Sequence, residues 1–376
     1  MIEISCHGST YIQERIIQCF IKKGVRPAQP GEFTLRAFVN GKMDLAQAEA
    51  VADVIASENE ASHQVALRQM RGGISHEIKI LRQELLDFAS LIELELDFAE
   101  EDVNFADTEA FAALLVRINT LLKNLIDSFA MGNVIKKGIP IAIIGPPNAG
   151  KSTLLNALLQ EEKAIISSIA GTTRDSIEDE ITIEGIGFRF IDTAGIRETI
   201  DEVEKIGIRK TYEKAGLARL LLYLVDASTL VDKKEIIKAD LLSLKQQYPE
   251  KTLWVLLNKS DLYDREIPND FFGTPCLAMS AKNHLGIDQL KSRLVEEIQK
   301  SNYQDESMIT NARHFAALRS AHIEIGKVQE GLSNGLSSDL LAIDLRQALY
   351  HLGEITGEVT NDELLGNIFA NFCIGK

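Results

Sequence analysis

The sequence predicts an α/β domain with a largely parallel sheet, inserted into an α-helical domain and preceded by a short third piece. Three observations carry this. All eight prolines lie in Pro27–Pro30 or in Pro140–Pro275, which leaves 31–139 and 276–376 free of them and open to long helices. Those proline-free stretches space their apolar residues by three and four. The stretch between them holds short apolar runs separated by helical patterns.

Taken in order, Glu3-Ile4 predicts a short strand and Tyr11–Ile21 a helix, and Pro27–Pro30 leads into Gly31-Glu32-Phe33. Residues 1–40 are near the lower limit, roughly 40 residues, for a domain stable alone, so they are expected to end a larger domain. Residues 41–132 form the first part of the helical domain. Leu81, Leu85, Phe88, Ile92 and Leu96 predict one amphipathic helix, and Leu114, Ile118, Leu121 and Leu125 another. Gly72-Gly73 marks a break and Glu100-Glu101-Asp102 a turn. Residues 133–303 form the α/β domain. Ile139–Ile144 is a strand ending in glycine. Ile181–Ile183 and Phe188–Ile191 form a hairpin about Glu184-Gly185, and Leu220–Val225 and Leu253–Leu257 are buried strands. Residues 304–376 form the second helical part, with Leu340, Ile343, Ala348 and Leu352 on one face and a turn at Asn334-Gly335. The parts 41–132 and 304–376 are expected to pack together; two independent helical domains are the alternative.

Charge and composition exclude several classes. Lys and Arg number 40 against 55 Asp and Glu, a net charge of −15, which argues against a broad basic groove for nucleic acid. A local patch or a partner would have to grip one. Apolar residues make up 45% and charged residues 25%, a globular balance. The longest apolar run, Leu220–Val225, is strand-sized, so no membrane span is expected, and the start shows no basic leader. Cys6, Cys19, Cys276 and Cys373 form no C-x-x-C pair, and the histidines form no metal pattern. Free thiols in a cytoplasmic protein are the simplest reading.

Gly145-Pro-Pro-Asn-Ala-Gly-Lys-Ser152 matches G-x-x-x-x-G-K-[ST], after a strand and before a helix at Thr153. Glycine lets the N–H groups of Asn148, Ala149 and Gly150 approach phosphate oxygens. Lys151 neutralises their charge, and the Ser152 hydroxyl suits magnesium. Asp192-Thr193-Ala194-Gly195 follows the strand Phe188–Ile191, where the aspartate meets magnesium through water and Gly195 frees an N–H for the γ-phosphate. Asn258-Lys259-Ser260-Asp261 matches N-K-x-D. The Asp261 carboxylate accepts both guanine N1–H and the 2-amino group, which adenine lacks. Ser280-Ala281-Lys282 matches the supporting loop at the guanine oxygen. The central domain is therefore an α/β P-loop GTPase domain that takes GTP rather than ATP.

Gly171-Thr172-Thr173-Arg174-Asp175 lies between the phosphate loop and Asp192. Thr173 is the first choice for a second magnesium ligand, with Thr172 the alternative. Ile196 follows Gly195, where a glutamine would orient the attacking water. The acids Glu198, Asp201, Glu202 and Glu204 lie beyond it, either as a source of that group or as a solvated loop. Asn148 stands where its side-chain oxygen could hold a monovalent cation beside the phosphates, or where it serves ordinary turn chemistry.

The phosphate loop, Ala170-Gly-Thr-Thr-Arg-Asp175, Asp192-Thr-Ala-Gly-Ile-Arg197 and N-K-x-D together, the C-terminal Phe372-Cys373-Ile374-Gly375-Lys376, and the stretch Pro30-Gly-Glu-Phe33…Arg36-Ala-Phe38…Lys42…Asp44-Leu-Ala-Gln-Ala-Glu49 resemble the MnmE (TrmE) family of tRNA-modification GTPases. The resemblance covers essentially the whole chain. It implies that residues 1–40 are the C-terminal remnant of an α/β folate-binding domain that also dimerises. It implies that Asn148 binds potassium and that Ser167, Ser168, Ile169, Ala170, Gly171, Thr172 and Thr173 form the loop around that ion, with Ser167, Ile169 and Thr172 as ligands. It implies Ser152 and Thr173 on magnesium and Glu204 positioning the attacking water. It further implies Glu3, Lys42 and Lys376 on a tetrahydrofolate derivative, and leaves Cys373 catalytic or structural. The reaction implied installs an aminomethyl or carboxymethylaminomethyl group at carbon 5 of the wobble uridine of tRNA. It implies MnmG, an FAD-dependent protein, as partner, and a homodimer whose G domains close on each other. A regulatory GTP switch and a ribosome-assembly GTPase are the alternatives; the latter calls for a basic appended domain, and neither helical flank is clearly basic.

Overall fold

The computed structural model describes residues 2–97, 108–162, 179–191, 216–263, 270–300 and 308–360, with 365, 368, 369 and 372. The chain forms two compact units. Met1–Ala56, Ala66–Leu122 and Ala316–Lys376 make the first; Ser57–Val65 and Lys123–Phe315 make the second. In chain order the helices are α1 (Thr10–Lys22), α2 (Glu32–Val39), α3 (Leu45–Ala56), α4 (Glu60–Met70), α5 (Gly73–Asp97), α6 (Thr108–Lys137), α7 (Lys151–Glu162), α8 (Lys234–Gln247), α9 (Ile287–Gln299), α10 (Ala312–Ser333) and α11 (Ser338–Thr356). The strands are β1 (Ile139–Ile144), β2 (Asp179–Ile183), β3 (Ile186–Phe190), β4 (Leu220–Asp226), β5 (Thr252–Asn258) and β6 (Cys276–Ala278).

In the first unit α5 packs along α11. Ile78, Leu81, Leu85 and Ile92 of α5 are buried, as are Leu341, Leu345, Ala348 and Leu352 of α11. The α11 stripe differs from the expected one. Leu340 is 47% and Ile343 55% exposed, because the spacing of four, three and four from Leu341 to Leu352 makes the continuous apolar row. Likewise α6 buries Leu115, Ile118, Leu122 and Leu125, whereas Leu121 lies only half-buried at the edge of that row. Each full Leu or Ile burial is worth about 1.5–3 kcal/mol, so the row with the more complete burial fixes the helix rotation. A second cluster joins Leu45 and Ala48 of α3 and Phe38 of α2 to Phe369 and Phe372.

No strand forms at Glu3-Ile4, where an isolated run has no described edge to pair with. The Gly72-Gly73 break and the Asn334-Gly335 turn separate helices as expected. The Glu100-Glu101-Asp102 turn lies outside the described residues.

The second unit is built on a six-stranded sheet of order β2-β3-β1-β4-β5-β6. All its ladders are parallel except β2–β3. The hairpin turn holds both Glu184 (φ 48°) and Gly185 (φ 79°) in the left-handed region, the type I′ geometry that matches strand twist. Burial alternates between the two faces. Ile139, Ile141, Ile143, Leu220, Leu222 and Leu224 enter one apolar cluster; Ala142, Ile144, Leu221, Tyr223 and Val225 enter the other. A strand covered on both faces reads as an unbroken apolar run, which is why β1 and β4 stand out in the sequence. The edge strand β6 is short and was not expected. Its Cys276 is buried, and burial pushes the thiol up to about 11, so it behaves as a small apolar side chain. Segment Ser57–Val65 also belongs to this unit: Ala61 N–H donates to the Gly185 carbonyl at 2.8 Å, and Ala61 and Val65 join the first apolar cluster.

Candidate functional site

The site forms where β1, β4 and β5 end. Parallel strands flanked by helices leave their C-terminal ends open to loops, the usual ligand position in such sheets. The loop after β1 needs its glycines. A Cβ on Gly145 (φ 139°) would lie 2.2 Å from the Leu224 carbonyl oxygen, and one on Gly150 (φ 97°) 2.3 Å from Asn258 Nδ2. Asn148 holds φ at 62°. Asparagine tolerates that conformation better than most residues. Its side chain is exposed and no hydrogen bond to the loop is formed among the described residues, so an Asx turn does not account for it. Helix α7 begins at Lys151, and its first-turn N–H groups and dipole favour an anion. Lys151 Nζ donates to the Gly145 and Pro146 carbonyls at 3.0 and 2.9 Å, which holds the ammonium at the loop. Ala149 is buried, Ser152 half-buried and Thr153 exposed.

Asn258 binds three segments together. It is 3% exposed. Its Nδ2 donates to the Ala149 carbonyl at 2.8 Å, and its Oδ1 accepts from Ala281 N–H at 2.9 Å. Ser260 N–H donates to the Met279 carbonyl at 3.0 Å, so the N-K-x-D turn rests directly on the 280–282 loop. That loop is closed by reciprocal bonds between Ser280 and Leu285. Asp261 sits exposed in the 3-10 turn Ser260–Leu262. Replacing Asn258 with alanine leaves the buried Ala281 N–H unpaired, at a cost of about 1–3 kcal/mol. GTP affinity is expected to fall roughly 10- to 100-fold. Calorimetric titration alongside a melting curve checks this: a lower melting point with unchanged affinity would make the amide a fold element only.

Asp226, at the end of β4 and beside Asn258 in register, was missed by sequence reasoning. Its Oδ2 accepts from Lys259 Nζ at 2.6 Å, and its Oδ1 accepts from Ser228 N–H at 3.0 Å and Ser228 Oγ at 2.7 Å. Lys259 takes a left-handed backbone (φ 59°), and the ion pair holds its side chain across the base-reading turn. Burial pushes the Asp226 carboxyl up, but the hydrogen bonds from Lys259 and Ser228 outweigh it and leave it below its ordinary value. A depressed carboxylate contributes stability above its unfolded pKa and loses it as pH falls through the folded one, so this pair stays intact at neutral pH. The signal available in the sequence was Asp226-Ala-Ser228 after a buried strand, a 3-10 N-cap pattern.

The remaining expected residues are not brought together by the described structure. Ser167, Ser168, Ile169, Ala170, Gly171, Thr172 and Thr173, the run Asp192, Thr193, Ala194 and Gly195, the acid Glu204, and Cys373 and Lys376 all lie outside the described residues. Glu3 and Lys42 are exposed in the first unit. Among the described residues no group of three His, Cys, Asp or Glu side chains could hold a metal, and no helix is long and apolar enough to cross a membrane. The expected magnesium and potassium ligands are hydroxyl, amide and carbonyl oxygens, and Ser152 and Asn148 are of that kind.

Residues 45–373 match the MnmE helical domain, and residues 1–42 match the GTP-binding protein TrmE N-terminus. The tRNA modification GTPase MnmE of Christiangramia forsetii is 59% identical over 390 residues, and that of Flavobacterium psychrophilum 61% over 378, each match covering 100% of this chain and 82% of the relative. The Bacteroides fragilis protein of the same name is 49% identical over 384 residues, with the same coverage. Among solved structures, the FeoB G-domain from Methanococcus jannaschii covers 43% of this chain and 98% of its own, at 25% identity and a TM-score of 0.31, too low to bear on the fold.

Proposed function

Because the chain belongs to the MnmE family of tRNA-modification GTPases, we propose that it hydrolyses GTP at the loops after β1 and β5 and couples that hydrolysis to modification of tRNA. The observation that supports this most directly is the Asn258 amide, whose two hydrogen bonds join the phosphate loop, the base reader and the 280–282 loop into one pocket for one nucleotide.

The residues divide the work by chemistry. Backbone N–H groups from Asn148 to Thr153 and the α7 N-terminus hold the phosphates, and Lys151 leaves its loop carbonyls to meet the β- and γ-oxygens. Magnesium, when bound, neutralises charge on those oxygens; Ser152 and Thr173 would hold it, with Asp192 acting through water. Potassium would sit on Asn148 with Ser167, Ile169 and Thr172, supplying a positive charge beside the phosphates. Asp261 selects guanine. Glu204 orients the attacking water in place of the glutamine absent at Ile196.

The finer organisation belongs to the same proposal. The G domain, 133–303, is inserted between helical parts 41–132 and 304–376, and residues 1–40 belong to the end of a folate-binding domain. Glu3, Lys42 and Lys376 would contact a tetrahydrofolate derivative. MnmG is the partner, tRNA the substrate, and two G domains close on each other in a homodimer. The product carries an aminomethyl or carboxymethylaminomethyl group at carbon 5 of the wobble uridine. A tRNA substrate implies a cytoplasmic setting.

Turnover in potassium against sodium at equal ionic strength tests the reading. Hydrolysis is expected to run faster in potassium, and Asn148→Ala to erase the difference while GTP still binds. A mutant that keeps the potassium response would put the ion elsewhere. GTP binding with no hydrolysis in either salt would favour a switch that signals by conformation alone.

A further inference from the structure

The phosphate loop follows β1 and the base reader follows β5, and β4 lies between those strands in the sheet. A nucleotide that reaches from one loop to the other must cross the C-terminal end of β4. The phosphate loop already rests there, since Gly145 lies so close to Leu224 that a Cβ would sit 2.2 Å from its carbonyl oxygen. Two residues further on, β4 ends in Asp226, opposite Asn258 in the register of β5.

Lys259, the next residue after Asn258, reaches back to that end. Its Nζ donates to Asp226 Oδ2 at 2.6 Å, so the lysine stem runs along the rim of the sheet from β5 to β4. A methylene stem whose charge is tied down at the tip is an apolar surface with a fixed position. The Lys259 side chain is 36% exposed and that of Asp226 only 16%, so the stem keeps an open side while the carboxylate is largely enclosed. Both carboxylate oxygens are engaged by protein donors. Oδ1 accepts from Ser228 N–H and Oγ, which caps the 3-10 turn Ala227–Thr229. That turn touches Ser260–Leu262, the turn that carries Asp261. The backbone of the base reader has ties of its own, Ser260 N–H to the Met279 carbonyl and Leu262 N–H to the Lys259 carbonyl, each at 3.0 Å. What the ion pair adds to them is the place of the lysine side chain.

We propose that Asp226 is a positioning residue for guanine nucleotides: it anchors the Lys259 ammonium so that the lysine stem stays across the end of β4 as the floor under the nucleoside. This rests on the GTP reading above and adds the residue that shapes the base side of the pocket. The floor serves the part that GTP and GDP share, so its loss weakens both alike. Charge alone would act with the opposite sign. Removing a carboxylate near the phosphates and freeing an ammonium would strengthen binding, and of the triphosphate most.

The test is calorimetric titration of the full chain with GTP and with GDP, in the parent, Asp226→Asn, Lys259→Met and the double variant. Asp226→Asn keeps an oxygen for Ser228 and sets a donor where the Lys259 ammonium needs an acceptor. It is expected to weaken GTP and GDP binding by the same factor, about tenfold, within the range by which contacting residues couple. Lys259→Met keeps an unbranched stem without the charge. In that background Asp226→Asn is expected to change affinity by less than about twofold, because the lysine it acts through is gone. If Asp226→Asn binds GTP as tightly as the parent or more tightly, or loses GTP and keeps GDP, the proposal is overturned while the GTP reading stands. An equal loss in the Lys259→Met background also overturns it, since the carboxylate would then act without the lysine. Melting curves of the nucleotide-free proteins separate positioning from folding: a lower melting point with parental affinities would make the pair a fold element only. A parent that binds neither nucleotide would overturn the GTP reading and this proposal together.

Discussion

Asp261→Asn is expected to cut GTP affinity by roughly 10²–10⁴-fold and to raise affinity for xanthosine triphosphate, with the fold unchanged. The size follows from the bonds removed. A carboxylate accepts the N1–H and 2-amino hydrogens of guanine as a pair, and a hydrogen bond to a charged group is worth about 1.5–3 kcal/mol. The amide keeps one acceptor but turns its other atom into a donor facing a donor. Xanthine places an oxygen there, so the same amide becomes complementary. The fold should not notice, because Asp261 is exposed in its 3-10 turn. The turn is held instead by Ser260 on Met279 and by Lys259 on Asp226. Calorimetric titration with GTP, xanthosine triphosphate and ATP decides it. Equal GTP affinity in parent and variant would remove Asp261 from the base site.

What the sequence made legible depended on how local the cause was. The phosphate loop and N-K-x-D are each contiguous and each follows a buried strand, so their chemistry could be read off directly. The hairpin was legible because Glu184-Gly185 satisfies a turn that few residues accept. Asp226 was not legible, because its function depends on Lys259, 33 positions away, and only the parallel register of β4 and β5 brings the two together. The Ala281–Asn258–Ala149 bridge was hidden for the same reason. Helix rotation failed more gently. At α11, Leu340 and Leu341 are adjacent and equally apolar, and only the partner helix chooses which one is buried. The strand expected at Glu3-Ile4 lacked a neighbour among the described residues, which local propensity does not supply.

Glu204→Ala is expected to keep GTP affinity near that of the parent and to lose most turnover, by about 10²–10⁴-fold, the usual cost of losing a group that orients or deprotonates the nucleophile. The reasoning begins with Ile196. The residue after Asp192-Thr-Ala-Gly195 is where a polar side chain would hold the attacking water, and an isoleucine offers neither donor nor acceptor. Some other acceptor must take that role, and the nearest concentration of acceptors is the run Glu198, Asp201, Glu202 and Glu204. Among these the family resemblance points to Glu204. A carboxylate beside a triphosphate is repelled unless cations intervene, so in the proposed mechanism Glu204 would act only once magnesium and potassium had lowered the local negative charge and a second G domain had ordered the segment. Such a role would separate binding from chemistry: the ground state would gain nothing from Glu204, and the transition state would. Glu202→Ala, two residues away, is expected to stay near the parental rate. Single-turnover hydrolysis at saturating GTP and potassium reads the chemical step without product release. A Glu204→Ala protein that hydrolyses at the parental rate would return the role to another acid of the run. Equal losses in Glu202→Ala and Glu204→Ala would mean that the segment contributes its collective charge and not one positioned oxygen.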